Sequence, residues 1–201
     1  MKKLLMLFVL SAVVSAYGQK TKNNDTSTIF IGKGMDGILF GVSTEEEVAA
    51  RFGSEYWPEE VLIRQYFDDK KQKSVSIYNY KMKYLKKGLI FNFTKEEGVR
   101  EILTSIEIFP PYIVKTKEGV VLGKSTLQEV VDAYGYGKWG YSNKNNQVAK
   151  VYDGIVFYTT NKKYIREYDK DYFNNTFLKA VVDKIVITSD PKAVYYLDKV
   201  E

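Results

Sequence analysis

The chain has 201 residues, a formal net charge of +5 and neither cysteine nor histidine. Without these two residue types it cannot form disulfides, Cys-His or Ser-His-Asp catalytic groups or the usual zinc sites, and we expect no cofactor, no metal and no catalytic residue. The charge is small and the signs are interspersed, so the composition does not favour nucleic acid binding. A hydrophobic fraction of 45% is sufficient for an ordinary core.

The first residues have the pattern of an export signal. Two lysines precede an apolar stretch, residues 4–14, that is shorter than the about 20 residues needed to span a bilayer. Small residues allow cleavage after Ala16 or after Gly18. We therefore expect a signal peptide at residues 1–18, a flexible N-terminus at residues 19–28, and a periplasmic or secreted chain without an integral membrane segment.

A seventeen-residue segment occurs twice, in residues 37–53 and in residues 119–135. Seven columns are identical, whereas ordinary composition would give about one identity by chance. An internal repeat of this kind predicts two copies of one structural unit. We assign the first repeat to residues 29–112 and the second to residues 113–201.

Each copy of the segment carries the signature of a capped helix. Ser43 with Glu46, and Ser125 with Gln128, match a capping box, in which the serine oxygen accepts a hydrogen bond from an unpaired backbone N–H. A glycine closes each copy where helices often end with positive φ. Apolar residues at helical spacing predict one stripe that faces a sheet, consisting of Val48, Phe52, Val130 and Tyr134.

Alternating apolar and polar residues after each helix predict antiparallel strands joined by hairpins. The predicted strands are residues 61–67, 74–85, 88–93 and 99–109 in the first repeat, and residues 148–152, 154–160 and 178–188 in the second. The sequence therefore predicts an α+β fold of two tandem repeats, each a short capped helix followed by a three- or four-stranded antiparallel sheet.

The repeated segment resembles the opening motif of two related families. Residues 41–53 and residues 123–135 share the pattern Gly-x-Ser-Thr-x-x-Glu-Val-x-x-x-aromatic-Gly, which is similar to that of the small outer-membrane assembly lipoproteins of the SmpA/OmlA type. It is also similar to the β-lactamase inhibitor protein family, in which two tandem copies form a concave sheet. The chain lacks the lipid-bearing cysteine of the first family and the disulfides of the second. The resemblance implies a non-catalytic binding role.

Two segments of the second repeat diverge from the first, residues 136–146 and residues 161–176. Both combine aromatic residues with Lys, Asn and Asp, a mixture that suits an interface core with a polar rim. The alternative is that these rings fold inward and cover the end of the second sheet. We predict contact residues at Trp139, Tyr141, Tyr164, Tyr168 and Tyr172.

These features favour an exported, non-catalytic binding or inhibitor-like module that recognises a protein of the cell envelope, and they leave its oligomeric state open. One alternative is a structural component of the envelope. Another is a carboxylate-based hydrolase acting on envelope polysaccharide, with two acids on either side of the scissile bond. The candidate acids for that reaction are Glu59 and Glu60, Asp68 and Asp69, or Asp169 and Asp171.

Overall fold

A computed structural model describes residues 26–70, 72–190 and 199–200. The expected signal peptide, residues 1–18, lies outside these described residues, as does most of the expected flexible N-terminus. Residues 27 and 28 of that N-terminus belong to a strand, β1 (Ser27–Phe30). This strand pairs antiparallel with β2 (Gly34–Met35) and parallel with β8 (Val114–Thr116), and β3 (Ile38–Leu39) completes a small four-stranded sheet.

A nine-stranded antiparallel sheet dominates the described part of the chain. Its strands follow the spatial order 13-9-10-11-12-7-6-5-4 when they are numbered along the sequence. They are β4 (Trp57–Asp68), β5 (Lys73–Tyr84), β6 (Leu89–Glu96), β7 (Ile102–Ile108), β9 (Lys138–Ser142), β10 (Gln147–Tyr152), β11 (Ile155–Thr160), β12 (Lys184–Thr188) and β13 (Lys199–Val200).

The predicted α+β fold of two tandem helix-plus-sheet repeats is wrong. Strands make up 46% of the described residues and helices 16%, and strands from both halves of the chain join one continuous sheet. The two halves meet where β7 pairs antiparallel with β12, with Ile106 opposite Ile187. Residue periodicity reports which face of a strand is buried but not which strand lies beside it, so the pattern could not reveal this junction.

The three helices of the described residues are short. They are α1 (Glu45–Phe52), α2 (Leu127–Tyr134) and α3 (Lys170–Phe177). The first two begin in the repeated segment, but their N-caps are Thr44 and Thr126 rather than Ser43 and Ser125. Each threonine accepts a hydrogen bond from the backbone N–H three residues on, and the glutamate there reaches back to the cap.

The predicted capping boxes are therefore displaced by one residue, for a reason that is visible in the preceding turn. Ser43 Oγ accepts a hydrogen bond from the backbone N–H of Leu39 at 3.0 Å. Ser125 Oγ accepts the corresponding bond from Val121 at 3.1 Å. Each serine thus closes a turn before the helix, which leaves the neighbouring threonine to cap it.

Both helices pack on the large sheet through the predicted stripe. The Phe52 ring lies 5.0 Å from Phe91 of β6, and the Tyr134 ring lies 5.3 Å from Phe157 of β11, measured between ring centroids. The glycines that follow have φ of +94° and +81° with extended ψ, a region that is essentially open to glycine alone. One buried apolar cluster fills the space between sheet and helices, and its helical members include Val48, Phe52, Leu127, Val130, Phe173 and Phe177.

Truncation of Phe52 tests this packing. We expect Phe52→Ala to lower the free energy of unfolding by about 3–5 kcal/mol, because the ring is buried among Tyr84, Phe91 and Tyr112 and its loss leaves a cavity. Urea denaturation followed by circular dichroism measures the change. The half-exposed Phe30 provides the control, and an equal loss in Phe30→Ala and Phe52→Ala would contradict the assignment of Phe52 to the core.

Candidate binding site at the open edge of the sheet

The predicted contact residues do not form one surface. Trp139 and Tyr141 lie in β9 with only 1% and 8% of their surface exposed, so their rings belong to the core. Tyr168 is half-buried. Tyr164 is 77% exposed, and Tyr172 is also exposed. Because α3 begins only at Lys170, Tyr164 and Tyr168 precede this helix, and the three tyrosines do not share one helical face.

Helix α3 explains the burial of the two β9 rings. Phe173 packs edge-on against Trp139, with ring centroids 5.4 Å apart, and also contacts Tyr141 at 6.0 Å. Asn174 Oδ1 accepts hydrogen bonds from Trp139 Nε1 at 3.0 Å and from the Tyr136 hydroxyl at 2.6 Å. For these two rings the structure agrees with the alternative interpretation, in which aromatic residues of the divergent segments cover the end of the sheet.

A buried lysine completes this aromatic cluster. Lys150 Nζ lies 4.0 Å from the centre of the Trp139 ring and 4.2 Å from that of Tyr136, and it donates a hydrogen bond to the Tyr136 carbonyl at 2.9 Å. Burial, with a smaller contribution from the charge of Lys170, lowers the pKa of Lys150 to about 8. Its contacts hold the loop after α2 against β9 and β10, which is a structural role.

The lowered pKa makes a specific contribution to stability. Between about pH 8 and the ordinary lysine value of 10.5, the unfolded chain binds a proton at Lys150 that the folded chain does not, so this contribution rises with pH. We expect the melting temperature of the wild type, relative to Lys150→Met, to increase from pH 7.5 to pH 9.5. Lys138 is exposed, so Lys138→Met is the control substitution. We expect its melting temperature to change with pH as that of the wild type does. If the melting temperatures of Lys150→Met and the wild type changed with pH in parallel, this result would contradict the lowered pKa of Lys150.

The candidate catalytic acids already have structural contacts. Glu59 forms ion pairs with Lys81 and Lys83 of β5. Asp169 caps α3 by accepting hydrogen bonds from the backbone N–H groups of residues 171 and 172, and Asp68 accepts one from the N–H of residue 70. One member of each pair therefore has a role that needs no substrate.

Another pair of carboxylates fastens the start of α1 to the sheet. Glu45 and Glu101 both bind Lys95, and Glu101 Oε1 accepts a hydrogen bond from the Glu45 backbone N–H at 2.9 Å. Burial and the hydrogen bond with Glu101 raise the pKa of Glu45. Burial alone would also raise the pKa of Glu101, but hydrogen bonds to Glu45 and the charge of Lys95 outweigh it and lower that pKa. The cluster stabilises the helix start, where acidic side chains are favoured.

Strand β4 forms one of the two edges of the large sheet, and the short β13 forms the other. Strand β4 spans twelve residues, pairs with β5 on one side, and has no neighbouring strand on the other side among the described residues. Such an edge presents unpaired backbone N–H and C=O groups to solvent. Its apolar side chains are also exposed, with no less than 48% of the surface of each accessible: Trp57, Val61, Leu62, Ile63 and Phe67.

A bulge divides this edge into two halves. Leu62 lies opposite Tyr78 and Arg64 lies opposite Ile77, so Ile63 is the extra residue. The charges are asymmetric about this point, because Glu59 and Glu60 precede the apolar centre and Arg64 follows it.

An aromatic cleft of about 610 Å³ adjoins the N-terminal end of β4. Its walls include Phe52, Tyr56, Trp57 and Tyr84. The Tyr84 hydroxyl donates a hydrogen bond to the Gly53 carbonyl at 2.7 Å and so ties the end of α1 to β5. Trp57 is 70% exposed and connects the cleft to the open edge.

The cleft carries a positive charge. Three lysines line it, Lys83, Lys86 and Lys87, against a single acid, Glu55. Lys87 Nζ donates a hydrogen bond to the carbonyl oxygen of residue 52, and Lys83 is paired with Glu59, whereas Lys86 is exposed. We call β4 together with this cleft the edge site.

Sequence reasoning missed the edge site. A strand with one buried face should alternate apolar and polar residues, but the centre of β4 has three consecutive apolar residues, 61–63, bordered by charges on both sides. In an edge strand such a run is exposed on both faces of the sheet. The apolar run of residues 61–63 is therefore the sequence feature that could have indicated this site.

Comparisons with protein-family models, with curated proteins and with solved structures found no match for the chain. The resemblance to the two envelope-associated families therefore remains a prediction. In the part of the chain that the structure describes, no helix combines the length and the apolar character required to cross a membrane.

Proposed function

We propose that the chain is an exported, non-catalytic binding module that recognises a protein of the cell envelope by adding a strand of that protein to the outer edge of β4. The observation that carries the proposal is a twelve-residue open edge with exposed apolar side chains on both faces. Main-chain hydrogen bonds at such an edge provide affinity, and the side chains beside it provide specificity.

The direction of the added strand follows from the sheet. Every neighbouring pair of strands in the large sheet is antiparallel, and antiparallel pairing is slightly more stable per residue than parallel pairing. Because β4 runs from Trp57 to Asp68, an antiparallel partner strand ends beside Trp57. Its C-terminal end therefore lies at the lysine-lined cleft.

The charges then define the partner. An extended segment that fits the edge has an apolar centre to cover residues 61–63 and acidic side chains near its C-terminal end to meet Lys83, Lys86 and Lys87. Opposite charges across an interface fix the register and disfavour wrong partners. The edge site thus favours acidic extended segments over basic ones.

Binding of designed peptides tests this proposal. The probes are twelve-residue peptides of alternating Thr and Val that end in Asp-Asp or in Lys-Lys, with affinity measured by fluorescence anisotropy. We expect the acidic peptide to bind about fivefold or more tightly, since two exposed ion pairs contribute roughly 1 kcal/mol together. Ile63→Lys places a charge at the apolar centre and should weaken binding of both peptides.

The matched control for this experiment is Ile113→Lys. Ile113 is 63% exposed and Ile63 is 59% exposed, but Ile113 lies outside β4, so this substitution should leave peptide binding unchanged. Equal affinity of the two peptides, or equal weakening by both substitutions, would contradict the edge site. The hydrolase alternative predicts turnover of purified peptidoglycan or other envelope glycans that disappears when a single acid of the candidate pairs is replaced.

A further inference from the structure

We infer that β4 of a second copy of this chain is a strand that the edge site accepts, so that two copies pair edge to edge in an antiparallel, symmetric dimer. The inference rests on the proposed function, because it uses the same edge and names its partner. It would join two nine-stranded sheets into one, with β4 of each copy at the centre.

The sequence of β4 fits the description of its own partner. Its centre is the apolar run of residues 61–63, and two acids, Asp68 and Asp69, stand at its C-terminal end, directly before Lys70 and Lys71. In an antiparallel pair with the two-fold axis between Leu62 and Ile63, the apolar run of one copy lies against that of the other. Each copy buries the exposed centre of its partner, as a self-complementary two-fold interface requires.

The bulge selects this register. Val61 and Arg64 lie opposite Asn79 and Ile77, which are two residues apart, so both side chains are on one face of the sheet. Pairing Leu62 with Ile63 of the second copy places Val61 opposite Arg64 of that copy. The two opposed side chains then lie on the same face of the joined sheet. A register with Leu62 opposite itself would bring Arg64 opposite Glu60, whose side chain is on the other face.

The charges agree with the same register. Arg64 of the second copy is diagonal to Glu59, about 7–8 Å away between backbones, which is within reach of long side chains. Glu60 lies opposite Gln65, where a hydrogen bond can form. Like charges therefore do not oppose one another across the centre, and the two-fold axis repeats each favourable contact.

The ends of the paired strands meet the lysine-lined clefts. In this register Asp68 of the second copy lies opposite Trp57, and Asp69 continues toward Lys83, Lys86 and Lys87. Pro58 is compatible with this arrangement, because it is the second residue of the strand and removes a single donor close to the end of the ladder. Asp68 and Asp69 are therefore the acidic side chains that this register brings toward the positive cleft.

The oligomeric state provides the first test. We expect the purified chain to sediment as a dimer in analytical ultracentrifugation at concentrations of about 10–100 µM, in the micromolar range typical of weaker specific complexes. Ile63→Lys places two lysines beside the two-fold axis and should shift the chain to monomer, because like charges across paired strands repel. Ile113→Lys should remain dimeric. A monomeric wild type, or a dimer that Ile63→Lys leaves intact, overturns the inference.

Cysteine crosslinking tests the register, and the natural chain has no cysteine to interfere. Residues 60 and 65 face each other across the proposed pair, whereas each is roughly 14 Å from its own counterpart, because their partners in β5 are four residues apart. We expect Glu60→Cys and Gln65→Cys to form a disulfide-linked dimer on oxidation only when the two variants are mixed. Crosslinking of either variant alone, or no crosslinking in the mixture, overturns the antiparallel register.

The peptide experiment separates this inference from the proposed function. A monomeric wild type that still binds the acidic peptide, with binding lost in Ile63→Lys, would retain the binding module and remove the second copy as its partner. A wild-type dimer that dissociates in Ile63→Lys and does not bind the peptides supports the inference and shows that the edge is specific for its own strand.

Discussion

The backbone pairing of β7 with β12 is the interaction on which the rest of the structure depends. It joins two strands that are distant in sequence, with Ile106 opposite Ile187 and Ile108 opposite Ile185, which are 81 and 77 residues apart, and it places all four side chains in one core cluster. Because the halves share a sheet, α1 and α2 pack on the same face of it. The junction also decides which strands become edges, since β7 and β12 occupy the middle of the sheet and β4 is left at its end.

Local features of the fold were predictable because they depend on residues close in sequence. The stripe of Val48 and Phe52, the positive φ of the glycine after it and the positions of most strands follow from spacing alone. Pairing between distant strands does not, which is why two separate sheets were expected. The capping error has a local cause, because adjacent Ser and Thr can both cap a helix and the choice depends on a hydrogen bond from Leu39.

The candidate site was less predictable because burial depends on what covers a side chain. Trp139 and Tyr141 alternate with small residues in β9. That alternation is compatible with two aromatic rings that face solvent and equally with two rings that face the core. Helix α3 decides between them by packing Phe173 on both rings. The run of residues 61–63 was not recognised as a candidate site, since consecutive apolar residues are equally compatible with a buried strand, and the sheet order is what shows that β4 has no outer neighbour among the described residues.

Edge strands usually carry charges, proline or a bulge to prevent indiscriminate pairing, and β4 has all three. These features need not oppose specific pairing. The bulge changes the face on which later side chains of β4 emerge, so the order of side chains in a partner strand has to suit a different alternation in each half of β4. The distribution of Glu59, Glu60 and Arg64 likewise penalises a strand with like charges at the same places. The features that disfavour most strands therefore favour a strand with a suitable order of side chains and charges, and β4 of a second copy, with Leu62 opposite Ile63, is such a strand.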